Sequence, residues 1–167
     1  MALCIVGCGN LDRGDDAAGV LVVRRLRTLG VETDVVKLIE QNGESFRLMD
    51  CWSGFESVIV VDATAPAGTP GKIRVWNASV DRLPEEFFAC STHAFGVREA
   101  VELGRALKCL PASLTIYGIE GKAFPLGAPL SPEVERAVES AAQQVLEALP
   151  AISAQGTSGQ TGKRVAR

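Results

Sequence analysis

Short apolar runs alternate along this chain with longer segments whose apolar residues recur at helical spacing. That alternation restricts the chain to an α/β domain with a largely parallel sheet. The runs predict strands at 2–7, 32–39, 57–61, 72–76 and 113–119. The third and fifth are expected to be central, because they are rich in β-branched residues and nearly free of charge. Helices are predicted at 16–29, 44–52, 94–108 and 132–149. The first has an aspartate cap and stops near Gly30. The last starts with Ser131 as cap, Pro132 at the first helical position, and Glu133 and Glu135 in the first turn. Between the third and fourth strands, residues 63–71 hold too much proline and glycine for regular structure, and the loop is long enough to form part of a cleft.

A chain of 167 residues fits a single hydrophobic core, and we expect one domain over 1–150. Residues 151–167 carry Gly156, Ser158, Gly159, Thr161 and Gly162 without apolar periodicity, and read as a disordered or vector-derived tail. The net charge of -3 leaves no electrostatic footprint for nucleic acid. The apolar runs are far shorter than the roughly 20 residues that cross a bilayer, so no membrane span is expected. The N-terminus enters Leu3-Cys4-Ile5-Val6 without a basic leader, which makes the cytoplasm the expected compartment. Five cysteines without a Cys-x-x-Cys pair argue for reduced thiols rather than a disulfide framework or a zinc ribbon. Cys90-x-x-His93 has thiol-imidazole or metal-ligand spacing, but no second ligand pair supports it.

His93 is the sole histidine, and it opens a predicted helix. In an open parallel sheet the ligand crevice lies beyond the carboxyl ends of the strands, where loops from separate strands converge. Asp16 follows the first strand and Asp62 ends the third. If those strands are adjacent and parallel, the two carboxylates emerge at one edge although 46 positions separate them, and His93 belongs to the same edge. Two oxygen donors and an imidazole suit a borderline divalent transition ion with positions left open. Taken singly, each residue has a plainer reading. Asp62 serves equally well as a strand-end turn former, and His93 as a core histidine or helix cap. Of Asp15 and Asp16, one caps the helix; we assign the cap to Asp15 and the inward ligand to Asp16. Glu120, at the end of the fifth strand, reads as a solvated turn residue or a supporting group behind the ligands.

The turn Gly7-Cys8-Gly9 follows a strand and precedes a helix, as a dinucleotide fingerprint would. The match is poor, since Asp12 stands where a small residue is wanted and Asp15 and Asp16 would repel a pyrophosphate. A helix N-terminus favours those ionised carboxylates, and together they offer a place for a cation.

Four blocks in order resemble the hydrogenase maturation endopeptidases. They are Gly7-Cys8-Gly9-Asn10 with Asp15-Asp16-Ala17-Ala18-Gly19; Val60-Val61-Asp62-Ala63; Ser91-Thr92-His93-Ala94-Phe95-Gly96; and Tyr117-Gly118-Ile119-Glu120 leading to Leu130-Ser131-Pro132-Glu133-Val134. The resemblance covers residues 1–149. It implies a three-layer α/β/α sandwich around a twisted, mostly parallel five-stranded sheet. It also implies an endopeptidase that removes the C-terminal extension of a nickel-iron hydrogenase large-subunit precursor after nickel insertion. Asp16, Asp62 and His93 fall on the family's metal-binding acidic residue, strand-end aspartate and histidine. The nickel would be supplied by the precursor, and another divalent ion would be able to take its place in a crystal. One segment departs from the pattern: Glu40-Gln41-Asn42-Gly43-Glu44-Ser45 stands where members carry an Asp-Gly-Gly-Thr-like segment implicated in substrate recognition.

The expected chemistry is peptide cleavage with metal assistance and a nearby carboxylate handling protons, because metal binding lowers the pKa of water from 15.7 to about 7. No His-Glu-x-x-His helix and no Gly-x-Ser-x-Gly elbow is present, so a standard zinc peptidase or serine hydrolase is not indicated. The alternative is a non-catalytic nickel checkpoint or maturation chaperone that binds the precursor uncut. A nucleotide-binding α/β protein is a third reading, which the acidic turn disfavours.

Overall fold

Ile5, Val6, Ile59, Val60, Leu114 and Ile116 are at most 1% exposed. Consecutive strand residues point to opposite faces, so strands buried at every position must be covered on both sides. The computed structural model describes residues 2–41, 46–89 and 96–155. Among them five strands form one sheet: β1 (Leu3–Cys8), β2 (Val36–Gln41), β3 (Ser57–Thr64), β4 (Ile73–Asn77) and β5 (Ser113–Glu120). The order is β2-β1-β3-β5-β4. All neighbours are parallel except β4, which runs antiparallel to β5 at the edge. The helices are α1 (Ala18–Thr28), α2 (Phe46–Trp52), α3 (Glu85–Phe88), α4 (Val97–Ala106) and α5 (Pro132–Gln155).

The parity of the strands assigns the layers. Leu3, Ile5, Ile59, Val61 and Ile119 pack with Val22, Val23 and Leu26 of α1 and Val134, Ala141 and Val145 of α5. Cys4, Val6, Val58, Val60 and Ile116 pack on the other face, with Leu48 and Trp52 of α2, Phe88 of α3 and Val97 and Val101 of α4. This is the expected α/β/α sandwich, with β1 and β3 adjacent and central.

Element ends depart from the sequence reading for local reasons. β2 starts at Val36 rather than 32 because residues 33–36 form a turn, with the Thr33 hydroxyl accepting the N–H groups of Val35 and Val36. α4 starts after Gly96, whose N–H donates to the Glu99 carboxylate at 2.9 Å, and the chain leaves it through Lys108 at φ 57°. α3 is a single turn, too short for periodicity to reveal. α5 continues through Pro150 to Gln155, so the first five residues assigned to the tail are helical; 156–167 lie outside the described residues.

Two glycines fix how the turn after β1 meets the sheet. A Cβ on Gly19 would stand 2.2 Å from the Val61 carbonyl oxygen and 2.4 Å from that of Cys8, and one on Gly7 would stand 2.2 Å from the Gly19 oxygen. Helix α1 therefore lies directly on the ends of β1 and β3. The obstacle at Gly19 is backbone on two strands, which no side-chain rotation relieves. We expect Gly19→Ala to cost about 3 kcal/mol, read as a lowered urea midpoint at unchanged m-value.

Candidate active site

The last paired residues of β1 and β3 are Gly7 and Val61, so Cys8 and Asp62 follow side by side at the carboxyl edge. The chain then turns through Gly9, at φ 137°, where a side chain would run into the Asp16 carbonyl. Residues 10–16 fold back on themselves. The Arg13 N–H donates to the Asn10 carbonyl, the Asp16 N–H to the Arg13 carbonyl, and the Asn10 N–H to Asp16 Oδ2 at 2.9 Å. This brings the Asp16 carboxylate back over the end of β1, within the electrostatic field of Asp62.

Asp62 registers the consequence. Burial, then the Asp16 charge, push its carboxyl up to about 8, against an opposing N–H donor at Ala63. In β5 its partner across the ladder is Gly118, which puts no side chain beside it. Cys8, Gln41 and Asp62 share the sheet face that carries α2, where the Gln41 amide lies 3.0 Å from Cys51 Sγ. Burial, then Asp62, Cys51 and Asp16, drive the Cys8 thiol well above its ordinary value. It stays protonated, unfit as a nucleophile.

Asp15 and Glu120 depart from the sequence reading. α1 has no side-chain cap, and Asp15 belongs to a 3-10 turn, Gly14–Ala17, that runs straight into it. The Asp15 side chain is fully buried and crosses to the loop after β5. It accepts the N–H groups of Lys122 at 2.7 Å, Ala123 at 3.0 Å and Ser131 at 2.7 Å, and the Ser131 hydroxyl at 2.8 Å. Burial raises its pKa, but these bonds outweigh it and hold the carboxyl below its ordinary range. Asp15 thus sits where the loop after β5 meets the start of α5, whose N–H groups lack helical partners, and two donors from each win over a local cap. Glu120 is likewise fully buried rather than solvated. It accepts the N–H groups of Ala67 and Thr69 at 2.8 and 2.6 Å and pairs with Arg74 at 2.9 Å. Its burial is outweighed by these donors, so its pKa also falls. It ties down the loop that follows β3.

The structure therefore brings Asp16 and Asp62 together. His93 and Cys90 lie outside the described residues, as do residues 42–45 of the departing segment. Among the described residues no group of three or more histidine, cysteine, aspartate or glutamate side chains is placed to hold a metal ion, and no helix is long and apolar enough to cross a membrane.

A parallel α/β sandwich with paired acids at the ends of two central strands defines a class of protein that works at the carboxyl edge of its sheet. A family model described as hydrogenase maturation protease matches residues 20–148. The hydrogenase 2 maturation protease of Escherichia coli is 26% identical over 151 residues, covering 89% of this chain and 91% of that protein. A putative hydrogenase maturation protease of Methanocaldococcus jannaschii is 31% identical, covering 86% and 94%. Among solved structures, a NiFe hydrogenase maturation protease from Thermococcus kodakarensis superposes with a TM-score of 0.68 at 27% identity, over 89% of this chain and 92% of that one. The hydrogenase maturating endopeptidase of E. coli shares the fold with a TM-score of 0.70 at 23% identity, over 90% and 93%. The chain belongs to the hydrogenase maturation protease family. Its role is that of an endopeptidase in hydrogenase maturation, and the binding-only checkpoint is not favoured.

Proposed function

We propose that the chain removes the C-terminal extension of a nickel-iron hydrogenase large-subunit precursor, and that Asp16, Asp62 and His93 engage nickel carried in by that precursor. The observation that supports this reading is the convergence of Asp16 and Asp62 on one sheet edge, where burial and mutual repulsion hold Asp62 protonated to about pH 8. A pair of acids in this condition fits a cation, because a positive charge between them cancels the repulsion that their neighbourhood creates. Nickel in the precursor would supply polarisation of the scissile carbonyl or activation of water. The chain's own groups then have distinct tasks. Asp16 is held by the Asn10 N–H, which fixes the direction of its carboxylate before substrate arrives. Asp62 gives up its proton when a cation faces it. Cys8 beside them remains a thiol and takes no part as nucleophile.

Of the departing segment, Glu40 and Gln41 end β2, beside β1 in the sheet, and we assign the segment to the choice of precursor. The test is incubation with a nickel-loaded hydrogenase large-subunit precursor, followed by intact mass. A product shortened at its C-terminus is expected with the nickel-loaded precursor and not with the nickel-free one. Equal shortening of both would remove the metal from the reading, and a stable complex of unchanged mass would remove the cleavage.

A further inference from the structure

We infer that Leu11 and Leu126 form a docking rim for the body of the precursor, an apolar surface patch beside its C-terminal segment; this rests on the function proposed above. Both side chains are large, aliphatic and open to solvent, 43% and 79% exposed. They belong to two loops that meet. The Gly127 N–H donates to the Asp12 carbonyl at 2.6 Å, and the Asp15 N–H donates to the Ala123 carbonyl at 3.0 Å. Leu11 and Leu126 are thus each one residue away from the same hydrogen bond.

Isolated exposed leucines are common on protein surfaces and need no explanation. Three observations set these two apart. The loop that carries Leu11 also carries Asp16, and its backbone closes on the Asp16 carboxylate through Asn10, so Leu11 follows directly on the residue that holds that carboxylate. The loop that carries Leu126 is held to the same turn by the four bonds to Asp15. A Cβ on Gly14 would stand 2.8 Å from the Ala123 oxygen and 3.3 Å from Pro125, so the two loops are in contact along their length. The leucines therefore stand on a pre-ordered frame, and covering them loses little conformational freedom. The same loops carry charge: Asp12, next to Leu11, is exposed, and Lys122, paired with Glu133 at 3.0 Å, belongs to the loop of Leu126. An apolar centre with a charged rim is the pattern of a protein contact. The rim is continuous with the edge where the peptide must be cut, which selects the precursor as its occupant.

The experiment measures steady-state processing of the nickel-loaded large-subunit precursor by the wild-type chain, Leu11→Asp, Leu126→Asp, the double variant and Leu126→Met. The aspartates are expected to raise KM, by about 10-fold or more in the double variant, with kcat within about twofold; Leu126→Met retains wild-type KM. Thermal unfolding of all variants should match the wild type, because the side chains are exposed, and capture of uncut precursor by Asp16→Asn should weaken when Leu11→Asp and Leu126→Asp are added. A double variant whose KM stays within about twofold of wild type would overturn the docking rim. So would sedimentation showing that the leucines hold two copies of this chain together, with KM unchanged by their loss. Failure of the wild type itself to shorten the precursor is a different result, which overturns the proposed function instead.

Discussion

Asp62→Asn is expected to reduce precursor shortening by roughly 100-fold or more and, in the same molecule, to raise the stability of the free protein at pH 8. The two effects have one cause. The Asp62 carboxyl titrates near 8 in the folded chain, against an ordinary value of 3.8. The folded state therefore holds a proton that the unfolded state has released, across the whole interval between those values. Stability from this group is fully present below about pH 4 and declines as pH rises, until it levels off above about pH 8. Four pH units correspond to a ceiling of about 5 kcal/mol. Asp62 retains contact with solvent, and screening brings the expected loss to roughly 1–3 kcal/mol. Asparagine carries no charge and does not decline. Urea denaturation at pH 5 and pH 8 should show the wild type losing ground to the variant as pH rises. A variant less stable than wild type at pH 8 would mean that Asp62 is not under strain. Asp16→Asn should be equally poor at shortening precursor, and should lower the pKa of the remaining Asp62 by removing the neighbouring charge.

Asp15→Ala should damage the fold severely, costing about 4 kcal/mol. It leaves the N–H groups of Lys122, Ala123 and Ser131 without their acceptor, in a place with no solvent contact. An orphaned buried donor costs about 1–3 kcal/mol, and a cost near 4 kcal/mol is large against a typical stability of about 5–15. Asp15→Asn keeps one acceptor oxygen and should cost about half as much. Native-state hydrogen exchange is the sharper measurement, because those three amides should lose protection before the strands do. The pH dependence has the opposite sense to that of Asp62. The folded pKa lies below 3.8, so the stabilisation is complete above about pH 4 and is lost as pH falls through the lowered value. Exchange at Lys122, Ala123 and Ser131 that is unchanged in Asp15→Ala would refute this role.

Much of this was legible in the residues. The charge-free, β-branched-rich runs Val58-Ile59-Val60-Val61 and Leu114 to Ile119 identify central parallel strands, because strands covered on both faces carry such sequences. Topology then delivers Asp16 and Asp62 to one edge, for a reason independent of their separation in sequence. Asp15 was misread because a carboxylate just before a helix has a ready local role, and nothing in the sequence reports that the loop after β5 offers four donors at that spot. Glu120 was misread for a similar reason: a charged residue at a strand end suggests solvent until Arg74 on the neighbouring antiparallel strand is known to face it. The helical continuation past Pro150 was hidden by composition. The rim leucines left no pattern, since exposure belongs to the folded surface alone.

The alternation of side chains along β1 and β3 has a practical consequence for engineering. Cys8, Gln41 and Asp62 all lie on the face toward α2 and α4, while Leu3, Ile5, Ile59 and Val61 lie on the face toward α1 and α5. Thermal resistance can therefore be raised by redesigning the second set with the inner residues of α1 and α5, as long as Gly19 is kept. Asp62 would keep its place, because the core side chains on its face belong to the opposite layer; Asp16, whose turn runs straight into α1, requires that Ala17 and Ala18 be kept as well.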